Sequence, residues 1–284
     1  MAFPVPVTLS PSKVASFKDC ALAFRFSAID RIPEPTSPAM AKGTVVHACL
    51  ERLFALDPDE RDLDAALTCL REVVEAESGP DGEVGALDLG SDQRAMFLAD
   101  AERLVGNYFK LEDPRTIRPI GLELRLEAQV TDLRLVGIID RLELDADGEL
   151  VVTDYKTGRA PSDRYEQPKL GGVHVYSLLC EELFGRRPAR IQLLHLHEPL
   201  VITAVPTDQS TRGVRMRVGA LWQAVALACE REDFRPKPGP LCSWCSFQRW
   251  CPSFGGDPSV AAAEAAAEMA ARSEPLAGVG AKVA

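Results

Sequence analysis

The chain has 284 residues, 46% hydrophobic and 26% charged, with a formal net charge of −10. That length buries a full core, and the composition is globular rather than collagenous, disordered or membrane-spanning. No apolar run approaches the ~18–20 residues of a membrane helix, and the opening Met-Ala-Phe-Pro-Val-Pro-Val lacks the basic start of a secretory signal. The expected setting is the cytoplasm, with no membrane partner.

The charge is unevenly placed. Residues 57 to 102 hold 14 Asp and Glu against 3 Arg, a local charge of −11 that leaves +1 for the remainder. Charge therefore neither favours nor excludes a polyanionic partner. The eight cysteines read, in a cytoplasmic protein, as thiols or metal ligands rather than disulfides.

In chain order, Leu9-Ser10-Pro11-Ser12-Lys13-Val14 starts a helix. Ser10 caps it, Pro11 suits the first position, and Leu9 with Val14 has staple spacing. That helix is expected to reach about Cys20, followed by a Pro-rich loop from Arg31 to Pro38. A second helix spans Gly43 to Leu56, with Val46, Leu50, Leu53 and Phe54 as its stripe and His47 and Glu51 sharing a face. Residues 57–90 form an acidic insert, an exposed helix over 62–77 and then a mobile loop over 78–90. A third helix runs from Ser91 to about Glu112, stopped by Pro114.

From Ile117 the period changes to two. Leu122, Leu124 and Leu126 alternate with charged residues, and Leu133 to Leu144 and Leu150 to Lys156 form two further strands. A helix over 168–184, strands over 191–197 and 201–205, and a long helix over 209–232 follow. The order helix, three antiparallel strands, helix, strand indicates an α/β sandwich rather than a doubly wound fold. One domain over 1–256 is expected, then an Ala-rich, disordered tail over 257–284 whose short Ala helix lacks an apolar face.

Residues 137 to 158 form a hairpin signal, two apolar runs around Asp145-Ala-Asp-Gly148. Asp140 lies on the first strand; Asp154 and Lys156 end the second and point the same way. Two carboxylates and an ammonium at one sheet edge suit Mg²⁺ and a phosphodiester, and the Tyr155 carbonyl lies between Asp154 and Lys156. Alone, the spacing fits a surface ion pair equally well. The other constellation is Cys242-Ser-Trp-Cys245 with Cys251 six residues on, in the segment 240–254. Its spacing suits zinc, or an iron–sulfur cluster if a fourth Cys joins. Cys49, Cys69, Cys180 and Cys229 read as small buried hydrophobes, and His195 and His197 as structural. Trp244, Phe247 and Trp250 are expected to shield the cysteines.

Gly-Ile-Ile-Asp140-Arg followed by Val-Thr-Asp154-Tyr-Lys156-Thr-Gly resembles two motifs of the PD-(D/E)XK nucleases, in their RecB-like branch. Gly43-Thr-Val-Val-His47-Ala-Cys-Leu-Glu51 resembles that branch's helical motif throughout. The resemblance implies a restriction-endonuclease-like α-β-β-β-α-β core with extra helices. It also implies His47, Asp140, Asp154 and the Tyr155 carbonyl as ligands of Mg²⁺ or Mn²⁺, and Lys156 as the catalytic lysine. Tyr176 stands where the branch has a site tyrosine, but Gly172 replaces the glutamine expected one turn earlier, and Gln167 is too far away to substitute. Glu123, on the strand before Asp140, is a further acidic candidate, as is Glu51.

The cysteines resemble those of the AddB-related and CRISPR-associated four-cysteine nucleases. There, a Cys on the first helix joins a C-terminal trio around a [4Fe–4S] cluster, which implies Cys20, Cys242, Cys245 and Cys251 here, with Zn²⁺ as the alternative. Ala21 replaces a frequent proline. The resemblance thus implies a metal-dependent DNA exonuclease of repair or recombination, acting on ends or single strands, with a helicase or repair partner. The rival is a non-catalytic DNA-binding module of the same fold.

Overall fold

The computed structural model describes residues 2–130, 132–160 and 163–273, with side chains described except at 163–173 and 271–273. In chain order the elements are β1 (Thr8–Leu9), α1 (Pro11–Asp19), α2 (Ala21–Phe24), α3 (Pro38–Ala55), α4 (Leu63–Ala76), α5 (Ser91–Tyr108), β2 (Pro119–Val130), β3 (Leu133–Leu144) and β4 (Leu150–Lys156). They continue with α6 (Asp163–Phe184), β5 (Arg190–His195), β6 (Leu200–Ala204), α7 (Asp208–Arg231) and α8 (Ala261–Ser273). Among the described residues no helix is long and apolar enough to cross a membrane.

The chain divides into two compact units. One comprises residues up to Val7, Ser12–Pro35 and the chain from Leu221; the other comprises Thr8–Pro11 and Thr36–Ala220.

The larger unit holds a mixed six-stranded sheet, β1-β3-β4-β5-β6, with β2 also paired to β3. β2, β3 and β4 are antiparallel neighbours, and β4 pairs β5 in parallel after the α6 crossover. The α-β-β-β-α-β core is α3, β2, β3, β4, α6 and β5, as the element order in the sequence implies. Core packing on one face joins Val45, Val46, Cys49, Leu50, Leu53 and Phe54 of α3 to Leu70 and Val73 of α4 and to Leu104 and Tyr108 of α5. Burial of such side chains contributes roughly 1.5–3 kcal/mol each before entropy is counted.

Two expectations for this unit change. The second helix begins at Pro38 rather than Gly43, because Ser37 accepts a hydrogen bond from the Met40 N–H (3.3 Å) and Pro38 occupies the first turn. The acidic insert is also not an exposed helix and open loop. Asp62 caps α4 by accepting from the Ala65 N–H (2.8 Å), and Ala66, Leu70, Val73 and Val74 bury one face. Glu77 then closes residues 78–90 into tight turns, its carboxylate accepting from the Glu83 N–H (3.0 Å) and its carbonyl from the Gly85 N–H (2.9 Å). A Cβ at Gly85 would sit 1.9 Å from the Gly79 oxygen, so glycine is required there.

In the smaller unit the first helix breaks at Cys20, whose backbone is extended (φ −158°, ψ 111°), and restarts as α2. Phe247 and Trp250 are buried against Phe26, whereas Trp244 is 86% exposed and shields nothing. The Ala-rich helix is docked rather than free. Ala261 and Ala265, one turn apart, are buried, Trp250 Nε1 donates to Glu264 (2.8 Å), and Arg249 forks onto Glu268 (2.5 and 2.7 Å). The rest of the tail, 274–284, lies outside the described residues. Cys49, Cys69, Cys180 and Cys229 are buried thiols, and His195 is buried in β5.

Candidate active site

The site forms where β3 and β4 part. Their regular pairing runs from Leu144↔Leu150 to Arg141↔Thr153. One residue further along, the Asp140 carboxylate takes the place of a backbone partner and accepts the Tyr155 N–H (2.6 Å). On the other side of the same peptide, the Tyr155 carbonyl accepts from His47 Nε2 of α3 (3.1 Å). A carbonyl only accepts, so Nε2 carries the proton and Nδ1 is the nitrogen left facing the carboxylates. It lies 3.5 Å from Asp140 Oδ2 and 3.8 Å from Glu123 Oε1.

Glu123 reaches this point by an uncommon backbone. Leu122 pairs with Arg141 and Leu124 with Ile139, which sets Glu123 across from Asp140, and its φ is +42°. A left-handed non-glycine inside a strand is a local strain of the kind that gathers at functional sites. His47, Glu123 and Asp140 offer ligand atoms within 4.8 Å of one another, the group of three or more with that property among the described residues. One imidazole nitrogen and carboxylate oxygens suit Mn²⁺, and the oxygens suit Mg²⁺.

Beyond the Tyr155 peptide, Asp154 is buried, Lys156 forms an ion pair with its carboxylate, and the Tyr176 hydroxyl of α6 donates to Asp154 Oδ1 (3.4 Å). Burial, and next the Asp154 charge, raise the Tyr176 phenol, which keeps its proton and stays a donor. Burial pushes Asp140 up to about 7, with Asp154 adding to the effect. For His47, burial acts downward, but Glu123, Asp140 and Asp154 together raise it. The site is a crowded anionic pocket whose donors could hold a cation.

His47, Asp140, Asp154, Lys156, Tyr176 and the Tyr155 carbonyl are thus brought together around one peptide, with Glu123 joining them. Glu51 lines the adjoining cleft of about 450 Å³ with Thr44, His47 and Glu123. The insert reaches this cleft, since Thr44 Oγ1 donates to Glu83 Oε2 (2.8 Å). Gly172 and Gln167 lie in α6 but outside the residues whose side chains are described.

Gly137 explains the close approach of α6. A Cβ there would come within 2.7 Å of Leu179 Cδ1 and 3.2 Å of Tyr176 Cε1. Gly137→Ala is expected to lower stability by about 1–3 kcal/mol by overpacking and to displace Tyr176 from Asp154. Denaturant unfolding checks the first effect, and an unchanged midpoint would refute the close contact.

In the smaller unit Cys20, Cys242, Cys245 and Cys251 line one cavity of about 430 Å³ together with Ala23, Phe247 and Lys237. The Gly239 N–H donates to Cys242 Sγ (3.3 Å). Burial raises the Cys245 thiol, partly offset by the Phe247 N–H that bonds it, and the other three thiols raise it further. Four thiols lining one cavity suit zinc or an iron–sulfur cluster as a donor set.

A family model described as PD-(D/E)XK nuclease superfamily matches residues 8–252. The "Gene 69 protein" of Mycobacterium phage L5 is 29% identical over 137 residues, 47% of this chain and 45% of that protein. The match therefore spans less than half the length of this relative. In a crystal structure, the Eubacterium rectale protein described as "Putative exonuclease" shares the fold with a TM-score of 0.51 at 12% identity, covering 84% of this chain and 87% of that one.

Proposed function

The chain belongs to the PD-(D/E)XK nuclease superfamily, and from that premise we propose that it is a Mg²⁺- or Mn²⁺-dependent deoxyribonuclease acting on DNA ends or single strands. The observation that carries this reading is the convergence of His47, Glu123 and Asp140 within 4.8 Å, beside the Asp154–Lys156 pair. His47 through Nδ1, with Asp140 and Glu123, would hold the ion and Asp154 flanks it, whereas the Tyr155 carbonyl, expected as a ligand, is taken by the His47 Nε2–H. When bound, such an ion polarises a phosphoryl oxygen and lowers the pKa of water.

The chain's own groups do the rest. Lys156, half exposed beside buried Asp154, supplies a cation where the phosphate gains negative charge and can orient the attacking water. Tyr176 fixes Asp154 by donation to Oδ1. The Nε2–H···O=C bond to Tyr155 fixes the His47 tautomer, so that neutral His47 presents the Nδ1 lone pair. Asp140 must give up its proton before it can act as a ligand, so cation binding strengthens as pH rises through about 7.

The test uses end-labelled single-stranded and duplex DNA with Mn²⁺, next to closed circular DNA and the Lys156→Ala protein. Release of mononucleotides or short products from linear but not circular DNA supports exonuclease action. Binding without cleavage would leave a DNA-binding module instead.

At the cysteines we place a [4Fe–4S] cluster on Cys20, Cys242, Cys245 and Cys251, with zinc as the alternative. The shared cavity and the N–H bonds to Cys242 and Cys245 support the cluster. Protein purified without oxygen is expected to be brown and to contain iron and sulfide. Cys20→Ser should lose the metal as completely as Cys251→Ser does; colourless protein with stoichiometric zinc overturns the cluster. Action in repair or recombination, with a helicase or repair partner in the cytoplasm, extends the RecB-like resemblance to this chain.

A further inference from the structure

The residue after Asp140 is the most enclosed charged group among the described residues of the larger unit. Arg141 is fully buried, with its guanidinium 4.7 Å from the centre of the Phe54 ring. Both terminal nitrogens meet Glu112, one of them at 3.0 Å, and Nε lies 2.7 Å from Glu143 Oε2. The remaining donor capacity goes to β4: Nη1 donates to the Tyr155 hydroxyl (2.9 Å) and Nη2 to Thr153 Oγ1 (3.2 Å). Thr153 is held in turn by Gln192 of β5 (2.9 Å).

Packing alone does not call for this arrangement. A buried arginine with two carboxylates carries a large desolvation cost, and an apolar trio of equal volume is often as stable or more so. What the arginine adds is direction. Consecutive residues of a strand face opposite ways, so Asp140 and Arg141 grip the same residue from two sides. Asp140 takes the Tyr155 N–H at the site (2.6 Å), and Arg141 takes the Tyr155 hydroxyl in the core. The Tyr155 ring is further boxed edge-on by His47 (5.8 Å) and Tyr108 (6.0 Å). Its carbonyl accepts from His47, and its chain neighbours are Asp154 and Lys156. One peptide thus sets the place of every proposed ligand, and the Arg141 fork holds that peptide from behind.

We propose that Arg141 is a positioning residue for the cation site, acting through the Tyr155 hydroxyl to fix the Tyr155 peptide against Asp140 and His47. The inference rests on the metal reading above for its purpose but not for its geometry. Tyr155→Phe removes one oxygen and leaves Arg141 with Glu112, Glu143 and Thr153, so the fold is retained. Arg141→Lys keeps a charge between the two glutamates but loses the planar fork.

Two measurements are made on each protein. Amide hydrogen exchange, without metal, is expected to be faster at position 155 in both variants, with the paired residues 141–144 and 150–153 unchanged. Mn²⁺ titration by calorimetry is expected to show affinity about tenfold weaker or more, the usual effect of losing a group that orients a ligand. A variant with wild-type exchange at 155 and wild-type Mn²⁺ affinity overturns the proposal, whatever its melting temperature. A wild-type protein that binds no Mn²⁺ overturns the metal reading, while the exchange measurement still decides whether Arg141 holds the peptide.

Discussion

Lys156→Ala is expected to reduce DNA cleavage by roughly 10²–10³-fold and to leave Mn²⁺ binding intact or slightly stronger. The two halves of that result have one cause. Lys156 is half exposed, and its ammonium pairs with buried Asp154, so in the metal-free protein it occupies the carboxylate that a cation would take. Removing the ammonium frees Asp154 for the ion and removes the positive side chain proposed to meet the phosphate. Asp154→Asn should differ, losing cation affinity and cleavage together, because the carboxylate itself is gone. The comparison needs single-turnover cleavage at saturating Mn²⁺ with calorimetric titration of the same proteins. Equal cleavage by wild type and Lys156→Ala would remove Lys156 from the reaction. Loss of Mn²⁺ affinity in Lys156→Ala would mean that the lysine organises the site rather than serving the phosphate.

The parts of this site that follow strand arithmetic were legible in the sequence. Residues two apart share a face, and the pairing of Asp154 with Lys156 is that rule made visible. His47 needed more than periodicity, because a lone helical histidine has no sequence-level address; the nine residues of Gly43 to Glu51 supplied one through resemblance. Glu123 was a candidate only by its strand. The register of the β2–β3 hairpin sets it across from Asp140, and its positive φ leaves no mark in composition or alternation. Arg141 closes the Gly-Ile-Ile-Asp140-Arg motif, yet strand alternation gives it no place in the site. It follows Asp140 and so belongs to the opposite face, where Glu112 of the loop after α5, Glu143 of its own strand and Tyr155 of β4 converge.

The insert and the tail show where a compositional argument loses to packing. Ala66, Leu70, Val73 and Val74 form a stripe within α4 that the surrounding acidic residues masked, and burying that stripe outweighs the local charge. Among the described side chains of α8 the buried ones are two alanines, Ala261 and Ala265. Such a helix is marginal alone, and what places it is the neighbouring Arg249–Glu268 and Trp250–Glu264 contacts. Cys20 is the converse case. The first helix ends there as expected, and the extended backbone of Cys20 turns the residue to the cavity shared with Cys242, Cys245 and Cys251 before α2 starts.

Asp140→Asn is expected to stabilise the metal-free protein while abolishing cation binding and cleavage. Burial first, and then the charge of Asp154, push the Asp140 carboxyl from 3.8 up to about 7. The folded protein therefore holds a proton at pH values where the unfolded chain has released it. Where the folded state binds more protons, stability falls as pH rises, by at most about 1.4 kcal/mol per pH unit for one group. The fall begins near the unfolded carboxyl value of 3.8 and levels off above about 7. His47, also raised, acts in the same direction: its contribution is complete below the ordinary imidazole value of 6.5 and is lost as pH rises through the folded value. Asparagine can still accept the Tyr155 N–H and brings no charge, so the variant should lack the Asp140 part of this decline. At pH 8 in EDTA its advantage is on the order of a few kcal/mol, a rise of several degrees in Tm, and at pH 4 the advantage disappears. Mn²⁺ reverses the order, because it stabilises only the protein that binds it. The measurement is thermal unfolding of both proteins from pH 4 to 8, with EDTA and with Mn²⁺. A variant no more stable than wild type at pH 8 in EDTA would show that the carboxylates of this pocket are not held against their own repulsion.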